Sequence, residues 1–339
     1  MKSMGAGSGV KPAPSGVLRV GVIGAGVMGT NHARVFAGLP NIALVGVVDP
    51  LPAHRARATE YTNCRTFDRL DDLIAQGVDA VTIAAPTHLH HEIARACIAH
   101  SIHVMVEKPI ASSVEEGQDI VDAAAHAGVT LMVGHVERFN PAVAAIKHAI
   151  AGEDILSIAI TRVGPFPPRM SNVGVVIDLA VHDIDLIRWF TESDIVEVQP
   201  QLSSAVAERE DIALLQFRTA SGVLAHINTN WLTPFKARNV TVATRGKYVM
   251  GDLLTRQVTE CFGFKPDGSY SMRHLPVGHD EPLRAELIAF THAVRTGGAP
   301  AVTGDEGVAS LEIATRCLET SARPKTASPA RTAPRRVVG

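Results

Sequence analysis

What the 339-residue chain lacks narrows its chemistry before any motif is read. Its four cysteines, Cys64, Cys97, Cys261 and Cys317, stand far apart and form no CxxC pair. Neither a thiolate zinc site nor a compact disulfide framework is therefore expected. They read as reduced packing residues of an intracellular, cytoplasmic protein. No stretch holds the ~18 or more apolar residues of a membrane span. The opening "MKSMGAGSGVKPAPSG" is rich in Gly, Ser and Pro and has no apolar core of a signal peptide. It is expected to be a disordered arm (1–16), and "ARPKTASPARTAPRRVVG" supplies a similar tail (322–339). The net charge of −2 gives no general basic field to draw nucleic acid or an acidic membrane. No internal repeat is found.

What is present suits a folded chain with substantial cores: 46% hydrophobic and 19% charged residues. From 17 to about 136, short apolar runs ("LRVGVIG", "IALVGVVD", "AVTIAAP", "HVMVEKP", "TLMVGH") alternate with helical stretches near 28–38, 52–60, 89–100 and 113–127. That rhythm predicts βαβ units and a parallel sheet, a Rossmann α/β domain. From 137 to about 321 the pattern changes. Strand pairs around Ser221-Gly222 and Arg245-Gly246 predict hairpins, and two helices follow, one ending at Gly297-Gly298 and one from Gly304 to Ser321. This half reads as an α+β domain on a large open, mostly antiparallel sheet.

"GAGVMG" places Gly24, Gly26 and Gly29 in GxGxxG spacing after the first strand, with Val27 and Met28 opening a helix. The first glycine permits the tight turn, the second lets a pyrophosphate approach, and the third lets helix pack on strand. Asp49 closes the second strand, where a carboxylate accepts from the ribose hydroxyls of NAD and repels the 2′-phosphate of NADP. His54, Arg55 and Arg57 nearby keep NADP as the less favoured cofactor. Ala85, Pro86, Thr87 and His90 of "AAPTHLHH" are expected beside the nicotinamide. The next long strand ends in Glu107, Lys108 and Pro109, at the sheet edge where open α/β folds bind ligands. The Lys108 ammonium there can stabilise a developing alkoxide.

"GVIGAGVMG", "VVDP", "AAPTHLHHEIA", "VEKPIA" and "DLAVHDIDLIRWF" together resemble the Gfo/Idh/MocA oxidoreductases over nearly the whole ordered chain. The resemblance implies nicotinamide-dependent oxidation of a ring secondary alcohol. It also implies a second domain whose sheet builds a homodimer or homotetramer. By motif, Lys108 is the catalytic lysine, with Asp178 and His182 the catalytic pair. A narrower likeness, in "VGHVERFNPAV", "VGPFPPRMSNVGVVIDLAVHDID" and "NTNWLTPFKARNVTV", is to those members that oxidise the 3-hydroxyl of UDP-N-acetylglucosamine. Inositol or other cyclitols and sugar phosphates are the alternative substrates. A non-catalytic dinucleotide-binding protein is the reading from another class.

Taken as one helix, 175–190 puts Asp178, His182 and Asp185 on one stripe, with Asp183 pointing elsewhere. A metal would need further convergent ligands, and no second histidine stands at helical spacing from His182, so no metal is expected. In the acid–base reading Asp178 orients the His182 imidazole, and His182 takes the hydroxyl proton while Lys108 stabilises the oxygen. The reverse assignment of those two roles stays open. Arg138, Asn140, Arg162, Arg169, Asp185, Trp231 and Lys236, with Arg238 beside them, are candidate substrate contacts. The positive charges of Arg162, Arg169, Lys236 and Arg238 together favour an anionic substrate such as a sugar nucleotide. Glu137 has no assigned role.

Overall fold

A computed structural model describes residues 16–167 and 173–322. All but the first residue of the tail, all but the last residue of the arm, and Arg169 lie outside the described residues. Strands β1 (Leu18–Ile23), β2 (Ile42–Val48), β3 (Thr66–Phe67), β4 (Ala80–Ile83), β5 (His103–Glu107) and β6 (Leu131–Gly134) form a parallel sheet ordered β3-β2-β1-β4-β5-β6. Helices α1 (Val27–Ala37), α2 (Pro52–Thr62), α3 (Leu70–Ile74), α4 (His90–Ala99) and α5 (Val114–Ala127) connect the strands. Buried strands flanked by helices explain why these runs are apolar throughout rather than alternating. Helix α5 shows how local sequence sets an end. Ser113 accepts from the Glu116 N–H at 3.2 Å, Glu116 reaches back to the Ser112 N–H at 3.1 Å, and Gly128 closes the helix at φ 65°.

After α6 (Pro141–Ala149), the second sheet holds β7 (Ile155–Pro165), β8 (Ile195–Ser203), β9 (Ile212–Thr219), β10 (Leu224–Asn230), β11 (Leu232–Thr244), β12 (Lys247–Asp252), β13 (Gln257–Phe262) and β14 (Ser271–Leu275). Its order is β14-β13-β12-β11-β7-β10-β9-β8, and only the β7–β10 pairing is parallel. Both expected hairpins are present, with Gly222 at φ 90° between β9 and β10. Helix α7 (Val181–Thr191) crosses between β7 and β8 in the chain, and α8 (Pro282–Thr296) and α9 (Gly304–Ala322) end the described residues. Among the described residues no helix is long and apolar enough to cross a membrane.

Three features differ from the expectations. The two-residue β3 and the five-residue α3 are too short to leave a periodic signal. The helix expected at 175–190 begins with a π turn, Val176–Ala180, in which the Val181 N–H reaches Val176 O. The two cores also do not follow one cut in the chain. Leu283, Leu287, Phe290 and Val294 of α8, with Val302, Val308 and Leu311, pack into the core of the first sheet. Further along α9, Ile313, Ala314 and Cys317 belong to the second core. The Val133 N–H donates to Val302 O at 3.2 Å, so the returning chain is tied to the edge strand β6.

Candidate active site

The glycine turn follows the carboxyl end of β1, beside that of β2. Gly24 sits at φ 92°, where an added Cβ would lie 2.6 Å from Ala84 O. A Cβ on Gly29 would overlap Gly24 O, so α1 can cross this close to β1 only with glycine there. Gly26, by contrast, faces open space. The first bond of α1 runs from the Thr30 N–H to Gly26 O, and no side chain caps the amides before it. Free amides at a helix start beside open space fit the pyrophosphate of a dinucleotide. Val27 and Met28 are exposed at this opening. Asp49 accepts from the Ala25 N–H at 2.8 Å and the Leu51 N–H at 2.9 Å, which fixes its carboxylate against the glycine turn.

The second cluster forms where β5 meets the π turn. Lys108 Nζ donates to the backbone oxygen of Asp178 at 2.7 Å and to Asp178 Oδ1 at 3.1 Å. His182 is half-buried, and its Nδ1 is enclosed without a partner among the described residues. Burial, followed by the positive charges of Lys108 and Arg162, pushes its pKa well below the ordinary histidine value. The imidazole is therefore neutral. Lys108 and Asp178 line a cavity of about 850 Å³, together with Pro86, Thr87, Ile177 and Arg209. A cation held by a carboxylate, next to a neutral base, can stabilise an alkoxide and receive a proton in one place.

This pairing corrects one expectation. Asp178 bonds to Lys108, not to His182. The π turn removes the regular i, i+4 relation that would have stacked the two side chains, and the ammonium takes the carboxylate. The ring of His182 instead meets His135 edge to face, with centroids 6.3 Å apart.

The expected substrate contacts are largely drawn away from the cavity. Arg138 gives Nε and Nη2 to Asp185 at 2.7 and 2.6 Å and Nη1 to Glu306 at 2.7 Å, stacked over Trp189. Arg162 is 2% exposed and grips Asp183 through Nε and Nη2 and Glu137 through Nη1. Asp183, expected to point elsewhere as a bystander, is fully buried in that pair. Asp185 is held by Arg138, so neither carboxylate is free for substrate. Asn140 caps α6 and donates to Leu253 O. Trp231 packs edge to face on Phe166 in the second core. Lys236 remains exposed, against Gly164. Glu137 now has a role. Burial alone would raise its carboxyl, but the charges of Arg162 and Arg238 outweigh that and hold it below the ordinary range.

Among the expected cofactor contacts, Pro86, Thr87 and Lys108 line the cavity, and Ala85 adjoins them. His90 is corrected to an internal tie. It is 1% exposed and its two ring nitrogens face Pro109 O and Ala85 O at 3.0 and 2.9 Å, so no edge is left for a ligand. Glu107 is also turned inward. It pairs with His32 Nε2 at 3.0 Å and accepts from the Lys108 N–H at 3.3 Å. The hydrogen bond with His32, followed by the charge of Lys108, holds Glu107 below the usual carboxylate range despite its burial. Behind it lies Glu286 of α8, fully buried with both oxygens unpartnered. Burial first, and then Glu107, drive its pKa well upward. Sequence reading missed His32, Glu286, Arg209 and Glu210, none of which sits in a recognisable motif.

A model of an oxidoreductase family with NAD-binding Rossmann fold, Gfo/Idh/MocA, matches residues 18–135, and one of the Gfo/Idh/MocA C-terminal domain matches 157–249. UDP-N-acetylglucosamine 3-dehydrogenase of Acidithiobacillus ferrooxidans is 30% identical over 237 residues, covering 70% of this chain and 74% of its own. Inositol 2-dehydrogenase of Rubrobacter xylanophilus is 30% identical over 321 residues, covering 89% and 90%. The solved structure of UDP-N-acetylglucosamine 3-dehydrogenase GnnA from Acidithiobacillus ferrooxidans superposes with a TM-score of 0.84 at 27% identity, over 90% of this chain and 98% of that one.

Proposed function

Since the chain belongs to the Gfo/Idh/MocA oxidoreductases, we propose that it oxidises the 3-hydroxyl of UDP-N-acetylglucosamine to the ketone, with NAD as the hydride acceptor. The observation that carries the reading is the pairing of Lys108 with Asp178 at the wall of one cavity, with His182 near enough for the Lys108 charge to act on its ring. Gly24, Gly26, Gly29 and Asp49 would hold the pyrophosphate and ribose of NAD, whose nicotinamide would accept the hydride. Lys108 donates to the hydroxyl oxygen and stabilises its developing negative charge. Asp178 aims the ammonium through two oxygens, 2.7 and 3.1 Å away. His182, neutral before the reaction, takes the hydroxyl proton on the ring edge away from its enclosed Nδ1.

NAD rather than NADP is supported by how the nearby basic side chains are engaged. His54 Nδ1 lies 3.1 Å from Asp49 Oδ2, and Arg55 donates to the backbone oxygens of Asp49 and Pro50 at 2.7 and 3.0 Å. Both are engaged around Asp49, whose charge opposes a 2′-phosphate. The likeness to UDP-N-acetylglucosamine 3-dehydrogenase supports the substrate. The likeness to inositol 2-dehydrogenase, which extends over more of the chain, favours cyclitol oxidation as the second reading.

The test is NADH formation from NAD with UDP-N-acetylglucosamine, free N-acetylglucosamine, inositols and hexose phosphates. Turnover of inositols alone moves the substrate to the second reading, and no turnover with any of them removes catalysis of this class. A homodimer or homotetramer through the open face of the second sheet completes the reading. Leu214 and Leu224 stand exposed on that face, and light scattering reports the subunit count.

A further inference from the structure

The charged groups lining the catalytic cavity are unequally engaged. Lys108 and Asp178 hold each other. Glu210 Oε1 accepts the Val176 N–H at 3.2 Å, and Glu210 O accepts the Val175 N–H at 2.9 Å, at the start of the π turn. His88 and Arg209 complete the titratable lining. Arg209 is exposed and has no hydrogen-bond or ion-pair partner among the described residues, so it is the one full cation of this lining without an acid.

Its backbone is nevertheless tightly set. On one side Glu210 is tied to the π turn. On the other, buried Asp211 accepts the N–H groups of Ala205, Val206 and Ala207 at 2.9, 2.6 and 2.9 Å. The Asp211 N–H donates to Ser203 O at 3.0 Å, and Asp211 O accepts the Trp231 N–H at 3.1 Å. Arg209 thus projects from a loop fastened to the catalytic helix and to the sheet, while its guanidinium is left to the cavity. A guanidinium matches the paired oxygens of a phosphate and is more weakly hydrated than an ammonium, so it gives up water at lower cost. A neutral ring offers it no counter-charge.

We infer that Arg209 is the phosphate-binding residue of the substrate cavity. It holds the diphosphate of a sugar nucleotide while Lys108 and His182 act on the sugar ring. This rests on the sugar-nucleotide reading proposed above.

The experiment uses the full-length enzyme with Arg209→Gln, Arg209→Lys and, as a control for loss of a surface cation elsewhere, Arg245→Gln. KM for UDP-N-acetylglucosamine and the inhibition constant of UDP are measured at fixed NAD. Arg209→Gln is expected to raise both about tenfold or more, the usual effect of losing a hydrogen bond to a charged group. The change falls in KM rather than kcat, Arg209→Lys recovers part of it, and Arg245→Gln leaves both constants in place. Unchanged constants in Arg209→Gln, with the wild type active on UDP-N-acetylglucosamine, overturn the inference and leave the parent reading standing. A wild type inactive on every nucleotide-linked sugar overturns the parent reading and the inference together. Equal rises in Arg209→Gln and Arg245→Gln would reduce the effect to general surface charge and also overturn it.

Discussion

The π turn and α7 carry two sets of carboxylates that end in different environments. Asp183 and Asp185 turn into the protein, each against an arginine, with Glu137 and Glu306 balancing the remaining charge. Asp178 turns the other way, toward a lysine at the wall of a cavity, with a neutral histidine four residues on. Composition does not separate the sets, since both pair acids with bases. What separates them is completion. The inner set is enclosed, and its forks are filled by carboxylates, whereas the outer set keeps its ammonium and carboxylate at the wall of a cavity. Charge that is fully matched and dry organises a fold, and charge left partly unmatched beside a cavity is available to a ligand.

Breaking the inner set should produce the largest effect. Asp183→Ala leaves Arg162 buried without its main partner and is expected to lower folding stability by about 3–5 kcal/mol in a denaturant titration. The double replacement Arg162→Met with Asp183→Leu should recover most of that loss. If Asp183→Ala is as stable as the wild type, the inner set is not a closed structural network.

Breaking the outer set should spare the fold and slow the chemistry. Lys108→Ala is expected to lower turnover by about 10²-fold or more, with NAD affinity and unfolding midpoint nearly unchanged. Unaltered turnover would take Lys108 out of the mechanism.

A subtler measure is the pH profile. His182 acts as a base only when neutral, and its folded pKa is pushed well below the ordinary value. It therefore stays neutral as pH falls through the usual histidine range near ~6.5, and the acid limb of kcat/KM for alcohol oxidation should lie below that range. A limb centred at or above it that disappears in His182→Asn would contradict the environment described for the ring. The smallest effect is expected from the surface pair of Arg245 with Asp154. Its removal should not move the unfolding midpoint measurably.

The same contrast explains what could be read without coordinates. The parallel strands, the glycine turn, Asp49 and Lys108 were legible because each follows from a local pattern: an apolar run, a fixed glycine spacing, a strand end. The partners of the arginines were not. Arg162 meets Asp183 and Glu137 across 21 and 25 residues, and Arg138 meets Glu306 across 168, distances at which spacing carries no information. A cleft arginine and a buried one look alike in sequence when their acids come from other elements. The Asp178–His182 pair failed for a different reason. One π turn changes which residues stack, and "VVIDLAVHDID" has no proline or glycine to announce it.

The path of α8 and α9 also bears on how the chain can be made. A ribosome releases the six strands of the first sheet well before residue 283. Phe290, Val302, Val308 and Leu311, which close that sheet's core, emerge only near the end of synthesis. The nucleotide-binding half must therefore wait, with an uncovered apolar surface, while the second sheet is translated and folds. Vectorial order runs against the division of cores here. A ribosome stalled, or a message cut, anywhere before α8 would yield a species exposing the very surface on which chaperones and aggregation act.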